Sequence, residues 1–168
     1  MGICGGYQMM GVEVCDPDHV EGNIDRLPGL GLLPVSTRLK KEKITRQVTF
    51  KMATGHSDSC DDACRGYEIH MGETTIIPDA KAKPFTHIID GVHASESGCI
   101  DNHCFGTYIH GILDNAPVID FLLKPFIEKA SSRTVFDYIA FIEEQYDKLA
   151  AHIRQHVNMD LVYKLMKK

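Results

Sequence analysis

Cys4 stands at the centre of a Gly-x-Cys-x-Gly run, Gly2-Ile3-Cys4-Gly5-Gly6, which continues into Tyr7-Gln8. That spacing is the cysteine form of a nucleophile elbow, a sharp turn between a strand and a helix that lifts one side chain out of the backbone. The flanking glycines are expected because a side chain at either position would crowd a strained turn that commonly needs φ > 0. A thiol so placed lies at a helix N-terminus, where the macrodipole and free N–H groups favour the thiolate. The N–H of Gly5 can then point at an oxyanion. The competing reading is a glycine-rich turn holding an inert cysteine.

Two further segments offer partners. Cys104 to Ile109 reads as a short β-run closed by His110 and Gly111. Ligands of an open α/β sheet collect at the carboxyl ends of strands, so a histidine there meets the same edge as the elbow. Between them, Gly66-Tyr67-Glu68-Ile69-His70-Met71-Gly72 is another strand-like run with polar residues near its end. Either histidine alone reads as an ordinary hydrogen-bonded strand-end residue; with Cys4, the combination points to nucleophilic chemistry supported by an acid–base group.

The elements that must position these groups follow from pattern. A first helix is expected from about Gly5 to Val12, followed by a loop punctuated by Asp16-Pro17-Asp18 and Leu27-Pro28-Gly29. Ile44, Val48, Phe50 and Met52 share one face of an alternating segment, with Arg46 the exception on that face, so Ile44–Met52 reads as a half-buried strand. Residues 66–71, 86–89, 92–95 and 104–109 read as further strands. Asp114 or Asn115 is expected to cap a helix, helped by Pro117 in its first turn. Phe136, Ile139, Ala140, Tyr146, Leu149, Ala150, Ile153 and Val157 form the apolar stripe of a long amphipathic helix. The pattern is that of an α/β fold with an antiparallel excursion.

Composition bounds the partners. With 168 residues, 43% hydrophobic and 24% charged, the chain can bury a sizeable core as one domain. A net charge of −5 argues against nucleic acid or an anionic membrane as the main partner. Lys40-Lys41-Glu42-Lys43 reads as a solvated turn. With neither a signal peptide nor a long apolar span, the expected compartment is the cytoplasm, where the six cysteines would be mostly free thiols. Cys60 and Cys64, with Cys99, His103 and Cys104, can be assembled on paper into a zinc site, but unpaired surface thiols are the preferred reading and no metal is expected. His152 and His156, one helical turn apart, are read as solvated.

Gly2-Ile3-Cys4-Gly5-Gly6-Tyr7-Gln8-Met9-Met10-Gly11 resembles the nucleophile segment of the cobyric acid synthase family. Gly29 to Val35, Lys43 to Val48, Gly66 to Gly72 and Gly106 to Asn115 resemble later segments of that family in the right order, and Tyr146 to Ala150 with Arg154 to Asp160 resembles its closing helices. The resemblance implies a class I-type glutamine amidotransferase domain, a flavodoxin-like three-layer sandwich. The family's domain has strands and helices before the elbow and, upstream of those, an ATP-binding synthetase domain. The chain is therefore expected to be an N-terminally truncated piece, residues 1–168 being the later part of the amidotransferase domain and showing little glutaminase activity alone.

What the resemblance implies for chemistry is hydrolysis of glutamine to glutamate and ammonia through a γ-glutamyl thioester. Cys4 would be the nucleophile, His110 the acid–base partner and Gly5 an oxyanion donor; Gln8, Glu68 and His70 would contact the substrate. No cofactor is implied in this domain, whereas ATP and Mg2+ would serve the synthetase domain as it amidates adenosylcobyrinic acid a,c-diamide in cobalamin biosynthesis. Class I amidotransferases usually carry an acid two residues after the histidine; here that position is Ile112, an absence the cobyric acid synthases share. Other readings are the amidotransferase subunit of lipid II amidation, an unrelated cysteine hydrolase, and a noncatalytic interaction domain.

Overall fold

The structure, a computed structural model, describes residues 1–53, 63–90, 93–126 and 138–167. Its strands are β1 (Gly2–Ile3), β2 (Glu13–Cys15), β3 (Arg26–Pro28), β4 (Val35–Met52), β5 (Cys64–Ile76), β6 (Thr86–Asp90), β7 (His93–Ser97), β8 (Cys99–Asp101), β9 (Cys104–Thr107) and β10 (Ile109–His110). The helices are α1 (Gly5–Met10), α2 (Ala116–Leu123), α3 (Tyr138–His156) and α4 (Met159–Met166). The described residues fall into two compact units, Met1–Glu128 and Lys129–Lys168.

In the first unit, β1 pairs in parallel with β9, Gly2 opposite Gly106 and Ile3 opposite Thr107, and β9 pairs antiparallel with β8. A larger sheet runs β10-β5-β4-β2-β3, with β6 beside β4 and β7 beside β6. Most of its pairs are antiparallel; β2 and β4 run parallel. The arrangement is mixed α/β.

The long β4–β5 pair extends from Val35 opposite Ile76 to Phe50 opposite Cys64, broken where the register shifts between Leu39 and Ile44. There Lys40-Lys41-Glu42-Lys43 bulges opposite Met71, all four residues exposed. Alternation holds beyond the bulge: Val48 and Phe50 are buried with Cys64, Phe85, Ile88, Ile109, Ile112 and Val118 in one apolar cluster. Each such side chain contributes roughly 1.5–3 kcal/mol. Ile44, expected on the same buried face, is exposed because it lies next to the bulge, away from that cluster. A second cluster gathers Tyr7, Met10, Leu33, Val35, Cys99 and Tyr108 around α1.

Several expected boundaries shift. The first helix ends at Met10, where Gly11 leaves helical geometry, rather than at Val12. The run from Cys104 does not stay in one strand: Tyr108 separates β9 from β10, and the two belong to different sheets. Asn115 is the N-cap residue of α2, with Pro117 in the first turn, but its side chain makes no cap hydrogen bond to that helix. Its Oδ1 accepts from the Arg65 N–H at 2.9 Å and its Nδ2 donates to the Arg65 carbonyl at 2.9 Å, tying the start of β5 to the segment after His110.

In the second unit, α3 matches the expected amphipathic helix over its described part, and Phe136 lies outside the described residues. Asn158 caps α4 by accepting from the Leu161 N–H at 3.1 Å. Among the described residues, no helix is long and apolar enough to cross a membrane.

Candidate active site

Cys4 occupies the turn between β1 and α1 with φ 55° and ψ −118°, a left-handed conformation that side-chain-bearing residues rarely adopt. Such a conformation costs on the order of 1–3 kcal/mol and persists only when its surroundings fix it. Here the Cys4 N–H donates to the Thr107 carbonyl at 2.9 Å, and the Cys4 carbonyl accepts from Tyr7 and Gln8 at 2.9 and 3.1 Å. The positive φ thus falls on the cysteine itself and not on its glycines. Gly2 is required by space, since a Cβ there would stand 2.6 Å from the Gly6 carbonyl oxygen and 2.7 Å from Met10 Sδ. Gly6, expected to be needed for the same reason, has open space around it, as does Gly5.

The Cys4 thiol reaches across to β5, donating to the Ile69 carbonyl at 3.6 Å. Ile69 lies between Glu68 and His70, and the same stretch of β5 faces β10, with Glu68 opposite Ile109 and Tyr67 opposite His110. Close approach of the strands depends on Gly66, where a Cβ would meet Ile109 Cγ2 at 2.5 Å and the His110 carbonyl oxygen at 2.6 Å. Cys4 and His110 therefore border one short piece of β5 from two different sheets. The His110 ring stacks on Tyr67 with centroids 5.0 Å apart and planes 10° apart. His110 Nε2 is buried without a hydrogen-bond partner among the described residues.

Glu68 is 3% exposed, and its Oε2 accepts from Arg46 Nε at 2.8 Å. His70 lies against the Tyr108 ring at 3.8 Å with planes 12° apart. Its Nδ1 sits 2.8 Å from the Gly72 carbonyl, which can only accept, so Nδ1 carries the proton and neutral His70 keeps Nε2 as an acceptor. Burial is the main cause that lowers the His70 pKa; Arg46 and His110 add to it, and the Gly72 bond and Glu68 oppose it.

Tyr108 is the hub. Its hydroxyl is 2.6 Å from Thr74 Oγ1, which in turn is 2.7 Å from Thr37 Oγ1. Gln8 Nε2 donates to the same hydroxyl at 3.3 Å, and the Tyr7 ring meets Tyr108 edge-on at 5.3 Å. Burial raises the pKa of both tyrosines. A cavity of about 420 Å³ opens here, lined by Tyr7, Arg46, Glu68, His70, Thr74 and Tyr108 among others; Cys4 and His110 do not line it.

Arg46, Tyr67, Thr74 and Tyr108 were not among the residues expected at the site. Arg46 carried a legible signal, a charge breaking the apolar face of β4; the aromatic pairs carried none, because they form across strands.

The cysteines fall differently from the surface thiols expected. Cys64 and Cys99 are buried on strands and Cys104 is half-buried, because their strands turn these positions inward; Cys60 lies outside the described residues. Burial, with Asp101 nearby, pushes the Cys99 thiol up to about 11. No group of three or more His, Cys, Asp or Glu able to hold a metal occurs among the described residues. His152 and His156 are exposed on α3, their rings 4.2 Å apart, with His156 Nδ1 donating to the His152 carbonyl at 2.8 Å.

Residues 1–118 match the model of the CobB/CobQ-like glutamine amidotransferase domain. The chain is similar to the cobyric acid synthase of Bacteroides fragilis, 59% identical over 166 residues, covering 99% of the chain and 32% of the relative. It is 53% identical over 167 residues to the cobyric acid synthase of Phocaeicola vulgatus, with 99% and 32% coverage. With that of Syntrophobacter fumaroxidans it shares 42% identity over 182 residues, with 99% and 34% coverage. The chain spans about a third of the length of these curated relatives, 32–34%.

Proposed function

The chain belongs to the CobB/CobQ-like glutamine amidotransferase family, and on that premise we propose that it releases ammonia from glutamine through a Cys4–His110 dyad. What supports the reading is that a strained, fixed Cys4 reaches the Ile69 carbonyl of β5 while His110, its Nε2 buried and unpartnered among the described residues, lies opposite Tyr67 two residues away on the same strand. A buried polar atom without a partner is costly and is retained where a ligand or a reaction supplies the partner.

In this mechanism Cys4 Sγ, as thiolate, attacks the side-chain carbonyl carbon of glutamine and the carbonyl π pair moves onto oxygen. The Gly5 N–H stabilises that oxyanion. Collapse of the tetrahedral species expels ammonia, protonated by His110, and leaves a γ-glutamyl thioester on Cys4. His110 then takes a proton from water as the water attacks, and glutamate leaves with Cys4 regenerated as thiolate. Glu68 and His70 contact the substrate: free glutamine brings one ammonium and one carboxylate, and the Glu68–Arg46 pair presents the complementary charges. His70 offers Nε2 as an acceptor for an N–H of glutamine. Gln8, whose Nε2 donates to Tyr108, would turn its amide toward the substrate.

The ammonia would pass to a synthetase domain that uses ATP and Mg2+ to amidate adenosylcobyrinic acid a,c-diamide, yielding adenosylcobyric acid in the cytoplasm. In the complete enzyme residues 1–168 would form part of an amidotransferase domain with the flavodoxin-like three-layer sandwich. The similarity to cobyric acid synthases over 99% of the chain supports this assignment.

The test is Cys4→Ala in a full-length synthase carrying this domain. Glutamine-dependent synthesis should vanish while ammonia-dependent synthesis continues; equal loss with both nitrogen donors refutes the assigned division of labour.

A further inference from the structure

We propose that Tyr67 is the positioning residue for His110, its ring serving in place of the carboxylate that orients the base in other class I amidotransferases; this rests on the Cys4–His110 reading above. An acid–base histidine works only when its ring plane and tautomer are held. The position two residues after His110 is Ile112, which is buried in the apolar core and has no group to offer. Asp114 lies in the 3-10 turn Ile112–Asp114, its carboxylate beside Gly111. His110 Nε2 has no hydrogen-bond partner, carboxylate or other, among the described residues. What the ring does have is a face. Tyr67 lies 5.0 Å away and within 10° of parallel, so it fixes the imidazole plane through the ring face and takes no hydrogen bond from Nε2.

The stack is built by the backbone. Tyr67 and His110 are direct cross-strand partners of β5 and β10, so their side chains leave the sheet on one face at contact distance. Gly66 lets β10 close onto β5, and Asn115 holds the two strands together from outside. Its Nδ2 donates to the Gly111 carbonyl at 3.0 Å as well as to Arg65. Tyr67 itself is 45% exposed and belongs to neither apolar cluster, so core packing does not account for an aromatic residue there.

Replacement of the ring in a full-length synthase carrying this domain separates orientation from structure. Tyr67→Phe keeps the face and should hold the glutamine-dependent kcat within about twofold, since an aromatic pair and not the hydroxyl does the positioning. Tyr67→Leu keeps apolar bulk but loses the stack. It should lower glutamine-dependent kcat about three- to tenfold, the range such pairs account for, with the KM for glutamine and the ammonia-dependent rate unchanged. Tyr67→Trp should recover more of the rate than Tyr67→Leu. A Tyr67→Leu enzyme with the parent's glutamine-dependent kcat, while Cys4→Ala and His110→Ala remain inactive with glutamine, overturns the positioning role and leaves the dyad standing. Parallel loss with ammonia assigns Tyr67 a structural role and also overturns it. Glutaminase activity that survives Cys4→Ala removes the dyad and this inference with it.

Discussion

Gly72→Ala offers a sharp test of the Tyr108 hub. Gly72 lies on β5 opposite Leu39, and its backbone is of a kind any residue adopts, so the cost of a methyl group there is steric. The new Cβ would press on Gln8 Nε2, stand 2.6 Å from the Tyr108 hydroxyl and 3.1 Å from Thr37 Cγ2. Gln8 can yield, because its amide ends a flexible chain held by one bond of 3.3 Å. Tyr108 cannot: it is 6% exposed, bonded to Thr74 at 2.6 Å and held between the His70 and Tyr7 rings. Forcing a methyl into a packed site costs about 1–3 kcal/mol, and a surrendered hydrogen bond about 0.5–1.5 kcal/mol more. The lower entropy of an unfolded chain with alanine returns about 0.4–1 kcal/mol. The net loss should be about 0.5–4 kcal/mol, read as a lower urea midpoint at unchanged slope. In a Tyr108→Phe background the hydroxyl is gone and the penalty of Gly72→Ala should shrink by about 1 kcal/mol, the scale of coupling between touching residues. An unchanged midpoint, or two substitutions that simply add, would refute the view that Tyr108 is immobile.

Removing the Arg46 cation leaves a buried Glu68 carboxylate without its charged partner, so Arg46→Met should lower stability by about 1.5–3 kcal/mol in chemical denaturation, and Glu68→Gln in the same chain should recover part of it. His70 has a folded pKa below its ordinary 6.5, so the unfolded chain takes up the proton first. Stability contributed by neutral His70 is thus present above pH 6.5 and lost as pH falls below it; His70→Phe should flatten the slope of unfolding free energy over that window. His110→Asn should prevent thioester turnover, measured as loss of glutamate release with ammonia-dependent synthesis retained. A His110→Asn enzyme releasing glutamate at the parent rate would exclude it as the base.

The turn at Cys4 was legible in residue type because glycine spacing records a steric demand, and Gly2 meets that demand against Gly6 and Met10. A strained turn with φ > 0 was also legible, but not which residue carries it: it resides in the φ of Cys4, and nothing in a cysteine signals left-handed backbone. Val48 and Phe50 were readable as core from alternation, yet Ile44 in the same pattern is exposed, because the bulge at residues 40–43 is set by the pairing of two strands and not by one strand's periodicity. The same holds for Tyr108. Cys104 to Ile109 reads as one strand, and only tertiary pairing shows that its two halves serve different sheets. Cys64 and Cys99 were expected to be unpaired surface thiols, whereas β-strand geometry turns them into the interior. Glu68 and His70 were expected near a strand end but lie within β5, which continues to Ile76, and the Arg46 and Tyr108 contacts that give them their properties come from elsewhere in the chain.

The change of sheet at Tyr108 has a mechanical consequence. Thr107 holds the Cys4 amide at 2.9 Å, and His110 follows only three residues later. The two sheets are joined here, so only the short segment from Thr107 to His110 separates the residue that holds the Cys4 amide from the histidine of the proposed dyad. Positional error between two groups grows with the number of soft torsions separating them, and here that number is small. A displacement of this segment therefore moves the anchor of Cys4 and His110 together.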